Sequence, residues 1–144
     1  MTGILATHGR IATVVVNANT APPPFAALDD LSWAAFAAKV TGELAGAFHI
    51  TKRVLAPMRA QGAGRIIYIG STAADYVGEG RLARGTAKSA LATFARHVAA
   101  ESPRHGVSAL VVTPGGSPDA SHRRSPDRRA RRCPRPRVRA GPDT

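Results

Sequence analysis

Apolar residues along this chain alternate between short β-branched runs and longer stretches with helical spacing. Three short runs, 11–16, 66–69 and 107–112, are rich in Val, Ile and Leu and predict strands. The first run leaves no room for polar alternation, as expected of a strand buried on both faces of a sheet. Between the three runs, residues 31–61 and 82–101 are long enough to form helices. The order strand, helix, strand, helix, strand predicts an α/β fold with right-handed crossovers and a parallel sheet.

The first predicted helix carries both a start signal and a stop signal. Asp29, Asp30 and Ser32 offer side chains that can cap its N-terminus, and the sequence Gly62-Ala63-Gly64 ends it. Apolar residues recur along it at intervals of three and four, which predicts one core-facing side. That side consists of Phe36, Val40, Leu44, Phe48, Leu55 and Met58, with Thr51 between them.

Charge separates the last fifth of the chain from the rest. Residues 1–116 carry eleven Lys or Arg and six Asp or Glu, whereas residues 117–144 carry nine Arg and three Asp. The second segment has few large apolar side chains, so it cannot bury enough surface to offset the entropy lost on ordering. We therefore predict one domain over residues 1–116 and a disordered, Arg/Pro-rich tail over residues 117–144.

Two accounts of this basic tail are open. A disordered basic segment can bind nucleic acid through phosphate contacts. Its arginines are not interleaved with aromatic residues, however, and no nucleic-acid-binding motif accompanies them, which argues against that role. The other account is a change of reading frame near Gly116, since out-of-frame translation of GC-rich DNA is dominated by Arg, Pro, Ala and Gly.

Composition also excludes several kinds of site. Cys133 is the only cysteine, so neither an internal disulfide nor a zinc centre built mainly from cysteines is expected. The histidines show no metal-ligand spacing, and we predict no metal site. There is no apolar run of about 18 residues and no signal-peptide pattern, which predicts a soluble, cytoplasmic protein that does not enter a membrane.

Short motifs follow one another along residues 9–116. They are Asn17-Ala18-Asn19-Thr20 after the first strand, Trp33, Gly64-Arg65-Ile66-Ile67 before Ser71, Lys88-Ser89-Ala90-Leu91, and Pro114-Gly115. Their order and spacing resemble those of motifs in the C-terminal half of the short-chain dehydrogenase/reductase family. The residues Gly-Arg-Ile-Ile-x-Ile-Gly-Ser are close to those of its ketoacyl-reductase branch. The resemblance implies a partial Rossmann-type, doubly wound parallel sheet, of which this chain supplies strands 4, 5 and 6. It also implies hydride transfer between NAD(P) and a small carbonyl compound or alcohol.

The same resemblance implies roles for individual residues. Ser71 matches the residue that hydrogen-bonds the substrate oxygen. Lys88 matches the lysine that binds the nicotinamide ribose and lowers the pKa of the catalytic tyrosine. Asn17 matches the first asparagine of the turn that supports the cofactor side of the sheet, and Pro114 and Gly115 match the segment beside the nicotinamide.

Departures from the family pattern bear on activity. Arg84 stands in the position of the catalytic tyrosine, four residues before Lys88; a guanidinium can polarise an oxygen but scarcely supply a proton. Glu43 stands in the position of the family's proton-relay asparagine, and Ala18 and Thr20 replace two residues of the Asn-rich turn. No Gly-rich cofactor motif precedes the first strand. We therefore expect weak NAD(P) binding and an inactive, truncated form.

Each candidate residue also has a structural interpretation. Outside this context Ser71 would be an ordinary strand-terminating serine, and Arg84 and Lys88 would be solvated helix charges. Tyr76 is an alternative phenol, but it lies in a loop five residues after Ser71 rather than one helical turn before Lys88. Tyr68 alternates into the sheet and is expected in the core.

A second functional class stays open beside the enzyme. In the family the two long helices also form the four-helix contact of a dimer, so the alternative is a non-catalytic module that pairs with itself or with a full-length relative. The first strand would be an unpaired apolar edge unless something covers it. Neither the substrate nor the choice between NAD and NADP follows from this sequence. The sequence also leaves open whether the short N-terminus is biological or an error in the assigned start codon.

Overall fold

The structure is a computed structural model that describes residues 2–19 and 22–114. Its helices and strands are α1 (Thr2–His8), β1 (Thr13–Val16), α2 (Trp33–Gln61), β2 (Gly64–Ile69), α3 (Leu82–Glu101) and β3 (Val107–Val112). Short 3₁₀ turns lie at Leu28–Asp30, Thr72–Ala74 and Pro103–His105. Helix α1 was not predicted from the sequence. Gly115 and the predicted tail at 117–144 lie outside the described residues.

The strands form one parallel sheet in the order β1-β2-β3, with β2 in the centre. Val14 of β1 pairs with Ile66, and Ile66 pairs with Ala109 of β3. One long helix connects each strand to the next. This arrangement confirms the α/β prediction and the partial Rossmann-type βαβαβ order.

Two strand boundaries differ from the prediction. Ile11 is buried but precedes β1, because the Gln61 side chain takes both of its backbone groups: Ile11 N–H donates to Oε1 at 2.9 Å, and Nε2 donates to the Ile11 carbonyl at 3.0 Å. At the other strand, β2 begins at Gly64 rather than Ile66, because Gly64 N–H donates to the Gly106 carbonyl at 3.2 Å. A pattern of β-branched residues cannot show either effect.

The two sides of the sheet differ in how they are covered. Val16 and Tyr68 point toward α2 and α3 and are 4 % and 0 % exposed. On the opposite face, Val15, Leu110 and Val112 are 56 %, 39 % and 42 % exposed. The prediction that the first strand is buried on both faces is therefore wrong within the described residues. Alternation was invisible in the sequence because Val14, Val15 and Val16 are consecutive and alike, although they point to opposite faces.

The ends of α2 follow from its cap residues. Ser32 Oγ accepts a hydrogen bond from Ala35 N–H at 3.2 Å, so the helix begins after Ser32, at Trp33, rather than at residue 31. Gly62 has a φ of 66°, a conformation that glycine adopts without strain, and it ends the helix. The predicted stop at this glycine is confirmed.

The core-facing side of α2 differs from the prediction. The buried positions are Lys39, Glu43, Ala47, Thr51, Val54 and Met58. Of the predicted apolar set only Met58 is buried, while Phe48 is 47 % exposed and its ring centroid lies 6.5 Å from that of Phe94 on α3. The prediction failed because it selected apolar residues, whereas two charged side chains take part in the buried side.

A buried hydrogen bond joins α2 to the central strand. Thr51 Oγ1 and Tyr68 Oη lie 2.6 Å apart, and the two residues are 2 % and 0 % exposed, which confirms that Tyr68 lies in the core. Burial raises the pKa of the Tyr68 phenol, and the hydrogen bond with Thr51 only partly opposes that effect.

We predict that Thr51→Val lowers the free energy of unfolding by about 1–3 kcal/mol, because it leaves the Tyr68 hydroxyl buried without a partner. Urea unfolding measures the change. The double variant Thr51→Val/Tyr68→Phe removes both partners and is expected to recover most of the loss. A single variant as stable as the wild type would contradict this prediction.

Neither a membrane-spanning helix nor a metal-binding cluster occurs among the described residues. None of the helices in residues 2–19 and 22–114 is long and apolar enough to cross a membrane. In the same residues no group of three His, Cys, Asp or Glu side chains is placed to hold a metal ion.

Candidate active site

A cavity of about 270 Å³ lies where the carboxyl ends of the three parallel strands meet. This is the edge at which open α/β sheets commonly bind ligands. Its lining residues are Asn17, Ala18, Asn19, Lys39, Ile69, Gly70, Ser71, Arg84, Lys88 and Pro114. The structure therefore brings together all the predicted site residues that it describes; Gly115 falls outside the described part.

A second, larger cavity of about 880 Å³ lies between α3 and the loops at residues 26–28 and 73–81. It is lined mostly by apolar and small side chains, and it includes Tyr76, which is 60 % exposed. Ser71 and Lys88 are not among its lining residues. The geometry thus gives no support to Tyr76 as a replacement phenol.

Ser71 lies two residues after the end of β2, and its side chain has two contacts. Its Oγ accepts a hydrogen bond from Ala73 N–H at 3.2 Å, which caps the short 3₁₀ turn. The same oxygen lies 3.4 Å from Nη2 of Arg84. In both contacts Oγ accepts, so its hydroxyl hydrogen remains available to a ligand. Ser71 therefore caps the turn after β2 and also lines the cavity.

Arg84 and Lys88 lie one turn apart on α3, so both side chains project from the same side of the helix. The long contact with Ser71 is the only hydrogen bond of the Arg84 guanidinium among the described residues. No carboxylate of the described residues pairs with it. Arg84 thus faces the cavity as a half-buried cation whose remaining N–H groups have no acceptor among the described residues.

The Lys88 ammonium is hydrogen-bonded within the protein rather than solvated. Its ammonium donates to Oε1 of Glu43 at 2.5 Å and to the carbonyl of Ile69 at 3.1 Å. The Lys88 side chain is only 13 % exposed. The interpretation of Lys88 as a solvated helix charge is therefore wrong, because a buried carboxylate holds it in place.

Glu43 is the centre of a buried charge cluster that we call the lysine–glutamate triad: Lys39, Glu43 and Lys88. Lys39 Nζ donates to Glu43 Oε2 at 3.1 Å and to Asn19 Oδ1 at 2.6 Å. The Lys39 and Glu43 side chains are 3 % and 1 % exposed. The sequence analysis did not single out Lys39, although the spacing of four residues between Lys39 and Glu43 is a recognised ion-pair signal on a helix.

Burial by itself raises the pKa of Glu43. Hydrogen bonds from Lys88 and Lys39, together with their positive charges, outweigh that effect and hold the pKa below its ordinary value of 4.5. A carboxylate with a lowered pKa in the folded state stabilises the protein above the unfolded pKa. This stabilisation is lost as the pH falls through the folded value.

We therefore predict that acid weakens the wild-type protein more steeply than Glu43→Gln, whose side chain does not titrate. The difference is expected to open below about pH 4.5, where the unfolded carboxyl begins to bind a proton. Urea unfolding at a series of pH values between about 7 and 3 measures it. Equal pH slopes for the two proteins would contradict the prediction.

The chain is similar to known proteins of one family. The model of the short chain dehydrogenases matches residues 1–128. The 3-oxoacyl-[acyl-carrier-protein] reductase MabA of Mycobacterium avium is 35 % identical over 109 residues, which is 75 % of this chain and 42 % of that protein. Oxidoreductase BOA17 of Botryotinia fuckeliana is 33 % identical over 108 residues, covering 75 % of this chain and 39 % of that protein.

Solved structures agree with these relatives. An NAD⁺-bound xylitol dehydrogenase superposes with a TM-score of 0.74 at 26 % identity, covering 81 % of this chain and 45 % of that one. A metagenomic short-chain oxidoreductase in complex with NADP gives a TM-score of 0.70 at 28 % identity, covering 80 % and 52 %. The chain spans less than half the length of the curated relatives that it matches. It belongs to the short-chain dehydrogenase family.

Proposed function

We propose that this chain carries the oxygen-binding part of a short-chain dehydrogenase site and does not transfer hydride as it stands. The observation that carries the proposal is the guanidinium of Arg84, whose Nη2 lies 3.4 Å from Ser71 Oγ. By resemblance, a tyrosine occupies this position in the family. Because the chain spans less than half of its curated relatives, the activity, cofactor and substrate of the whole protein are part of this proposal.

Reduction of a carbonyl needs a proton for the substrate oxygen as hydride reaches the carbon, and a positioned acid contributes about 10²- to 10⁴-fold to such a step. The guanidinium of Arg84 stays protonated at any ordinary pH, so it can stabilise a negatively charged oxygen but cannot transfer a proton to it. Ser71 can orient the oxygen, yet its hydroxyl is a poor acid. The site therefore polarises an oxygen without completing the reduction.

The residues present fit the nicotinamide end of NAD(P), the cofactor of the family. By resemblance, Lys88 would contact the ribose, while Asn17 would support the cofactor side of the sheet and Pro114 and Gly115 would border the nicotinamide. A bound nicotinamide would supply hydride chemistry at this place. Lys88 already donates two hydrogen bonds within the protein, which leaves one of its three ammonium hydrogens for a ribose hydroxyl. Such a limited contact supports weak rather than tight cofactor binding.

The test is a hydride-transfer assay on the purified chain with NADH and with NADPH. A 3-oxoacyl thioester and a small ketone serve as acceptors, and M. avium MabA serves as the active control. We expect oxidation of the reduced nicotinamide no faster than in enzyme-free buffer. Turnover within about a hundredfold of the control would overturn the proposal, because loss of a general acid alone removes at least about that much.

One feature favours a second, non-catalytic function, pairing through the helices with another copy or with a full-length relative. Phe48 on α2 is 47 % exposed, and it packs beside the half-buried Phe94 on α3, so both long helices contribute to the same apolar patch. Sedimentation velocity at rising concentration tests the pairing. Phe48→Glu is expected to leave a monomer, whereas a wild-type chain that is monomeric at every concentration would contradict this alternative.

A further inference from the structure

We propose that the cavity at the strand ends is a binding site for a small carboxylate, held by Arg84, Lys88 and Ser71. This inference rests on the placement of Arg84 and not on the absence of hydride transfer. A binding titration and a turnover assay can therefore fail separately.

The first argument is the charge around the cavity. Three cations, Lys39, Lys88 and Arg84, line it, and Glu43 is the one described carboxylate that pairs with any of them. Lys39 and Lys88 share the Glu43 carboxylate, whereas Arg84 has no carboxylate partner among the described residues. A half-buried cation without a counter-ion is unfavourable, so the site attracts an anion.

The second argument is the number of hydrogen-bond donors that face the cavity. Lys88 keeps one N–H after its bonds to Glu43 and Ile69, and Ser71 keeps its hydroxyl hydrogen. The planar fork of Arg84 offers two parallel N–H groups, the arrangement that binds a carboxylate bidentately. These make about four donors, which match the roughly four lone-pair sites of a carboxylate.

The third argument is the position of the two cations on α3. Arg84 lies in the first turn of that helix and Lys88 one turn later, and the first turn contains no acidic residue. Like charges four residues apart repel each other, and cations near a helix N-terminus oppose the helix dipole. A tyrosine at position 84 would avoid both costs, whereas an anion between the two side chains offsets both.

The cavity limits the size of this anion. Its volume is about 270 Å³, below the range of about 300–1,000 Å³ that is usual for sites that bind drug-sized ligands. The ligand class is therefore a carboxylate with a short carbon chain, its carboxyl group placed against Arg84 and Ser71.

The experiment titrates the isotope-labelled 144-residue chain with sodium acetate and follows backbone amide shifts by nuclear magnetic resonance. Sodium chloride keeps the ionic strength constant, and inorganic phosphate is titrated separately. We expect saturable shifts at Ala73 and Arg84 with a dissociation constant on the order of millimolar, in keeping with so small a ligand. Shifts that do not saturate, or that are equal with chloride alone, would overturn the proposal.

Variants connect the binding to the proposed residues. Arg84→Gln is expected to weaken acetate binding by at least about tenfold, since it removes a charge-assisted contact. Arg96→Gln is the matched control, because Arg96 lies on the same helix, is exposed and has its one hydrogen bond among the described residues with Thr93. This variant should bind acetate like the wild type. Circular dichroism checks that both variants fold. Unchanged binding by Arg84→Gln, or phosphate binding more than about tenfold tighter than acetate, would contradict the carboxylate site.

Discussion

Arg84→Tyr is expected to raise the rate of carbonyl reduction by about 10²- to 10⁴-fold when the cofactor-binding half of a family member is present. The comparison uses a chimera in which this chain replaces the segment of M. avium MabA that it matches. A phenol at position 84 would lie one helical turn before Lys88 and in reach of the oxygen that Ser71 holds. It can release a proton at neutral pH if Lys88 lowers its pKa, which the guanidinium cannot do.

The control for this gain is Arg84→Phe in the same chimera. It supplies the aromatic ring without the hydroxyl and is expected to be as inactive as the arginine form. Cofactor binding, followed by nicotinamide fluorescence, shows whether each chimera is assembled. An Arg84→Tyr chimera that binds NADPH but reduces no faster than the arginine form would contradict the assignment of position 84.

The second large effect is expected at the lysine–glutamate triad. Glu43→Ala should lower the free energy of unfolding by about 3–5 kcal/mol, because it leaves Lys39 buried beside Lys88 with no carboxylate between them. The expectation follows from the burial of Glu43, which is 4 % exposed, and from its hydrogen bonds with both lysines. Urea unfolding of the wild type and the variant measures the difference.

Replacing the whole triad provides the control for this destabilisation. In Lys39→Met/Glu43→Leu/Lys88→Met the apolar side chains fill a similar volume, and buried ion clusters replaced in this way are often as stable as before. We therefore expect the triple variant to be within about 1 kcal/mol of the wild type or more stable. If Glu43→Ala cost less than about 1 kcal/mol, the triad would not be the buried unit described here.

The elements with strong local signals were predicted from the sequence. The bounds of α3 and β3 agree with the predicted 82–101 and 107–112, since Pro103 and the Val-rich run mark them locally. The end of α2 followed from Gly62. The start of β1 did not, because the backbone of Ile11 bonds to Gln61, a residue 50 positions away. Local patterns cannot report such distant partners.

In the candidate site, too, some residues could be predicted from the sequence and others could not. The order and spacing of Ser71, Arg84 and Lys88 were enough to place them together through the family resemblance, and the structure puts them on one cavity. Lys39 was missed because a lysine on a helix is by default a solvated residue. Its burial depends on Glu43 and on Asn19, which belongs to the turn after β1. Because buried charged residues form part of it, the buried side of α2 could not be predicted from the spacing of apolar residues.

The local sequence pattern also could not predict that one face of the sheet is exposed. Whether Val15 and Leu110 are covered depends on what packs against the sheet, and a valine run is compatible with one covered face or with two. Within the described residues the covered face is the one that meets α2 and α3. The carboxyl ends of the strands, where the site lies, were nevertheless predictable from the parallel order alone.

The most direct test of the central claim is a tyrosinate absorbance titration of Arg84→Tyr, with the wild-type titration subtracted. The claim is that position 84 faces Ser71 and Lys88 in the proton donor's place. If so, Lys88 should lower the pKa of the introduced phenol clearly below about 10, and Lys88→Met in the same protein should bring it back. A phenol that titrates at about 10 with or without Lys88 would contradict the claim.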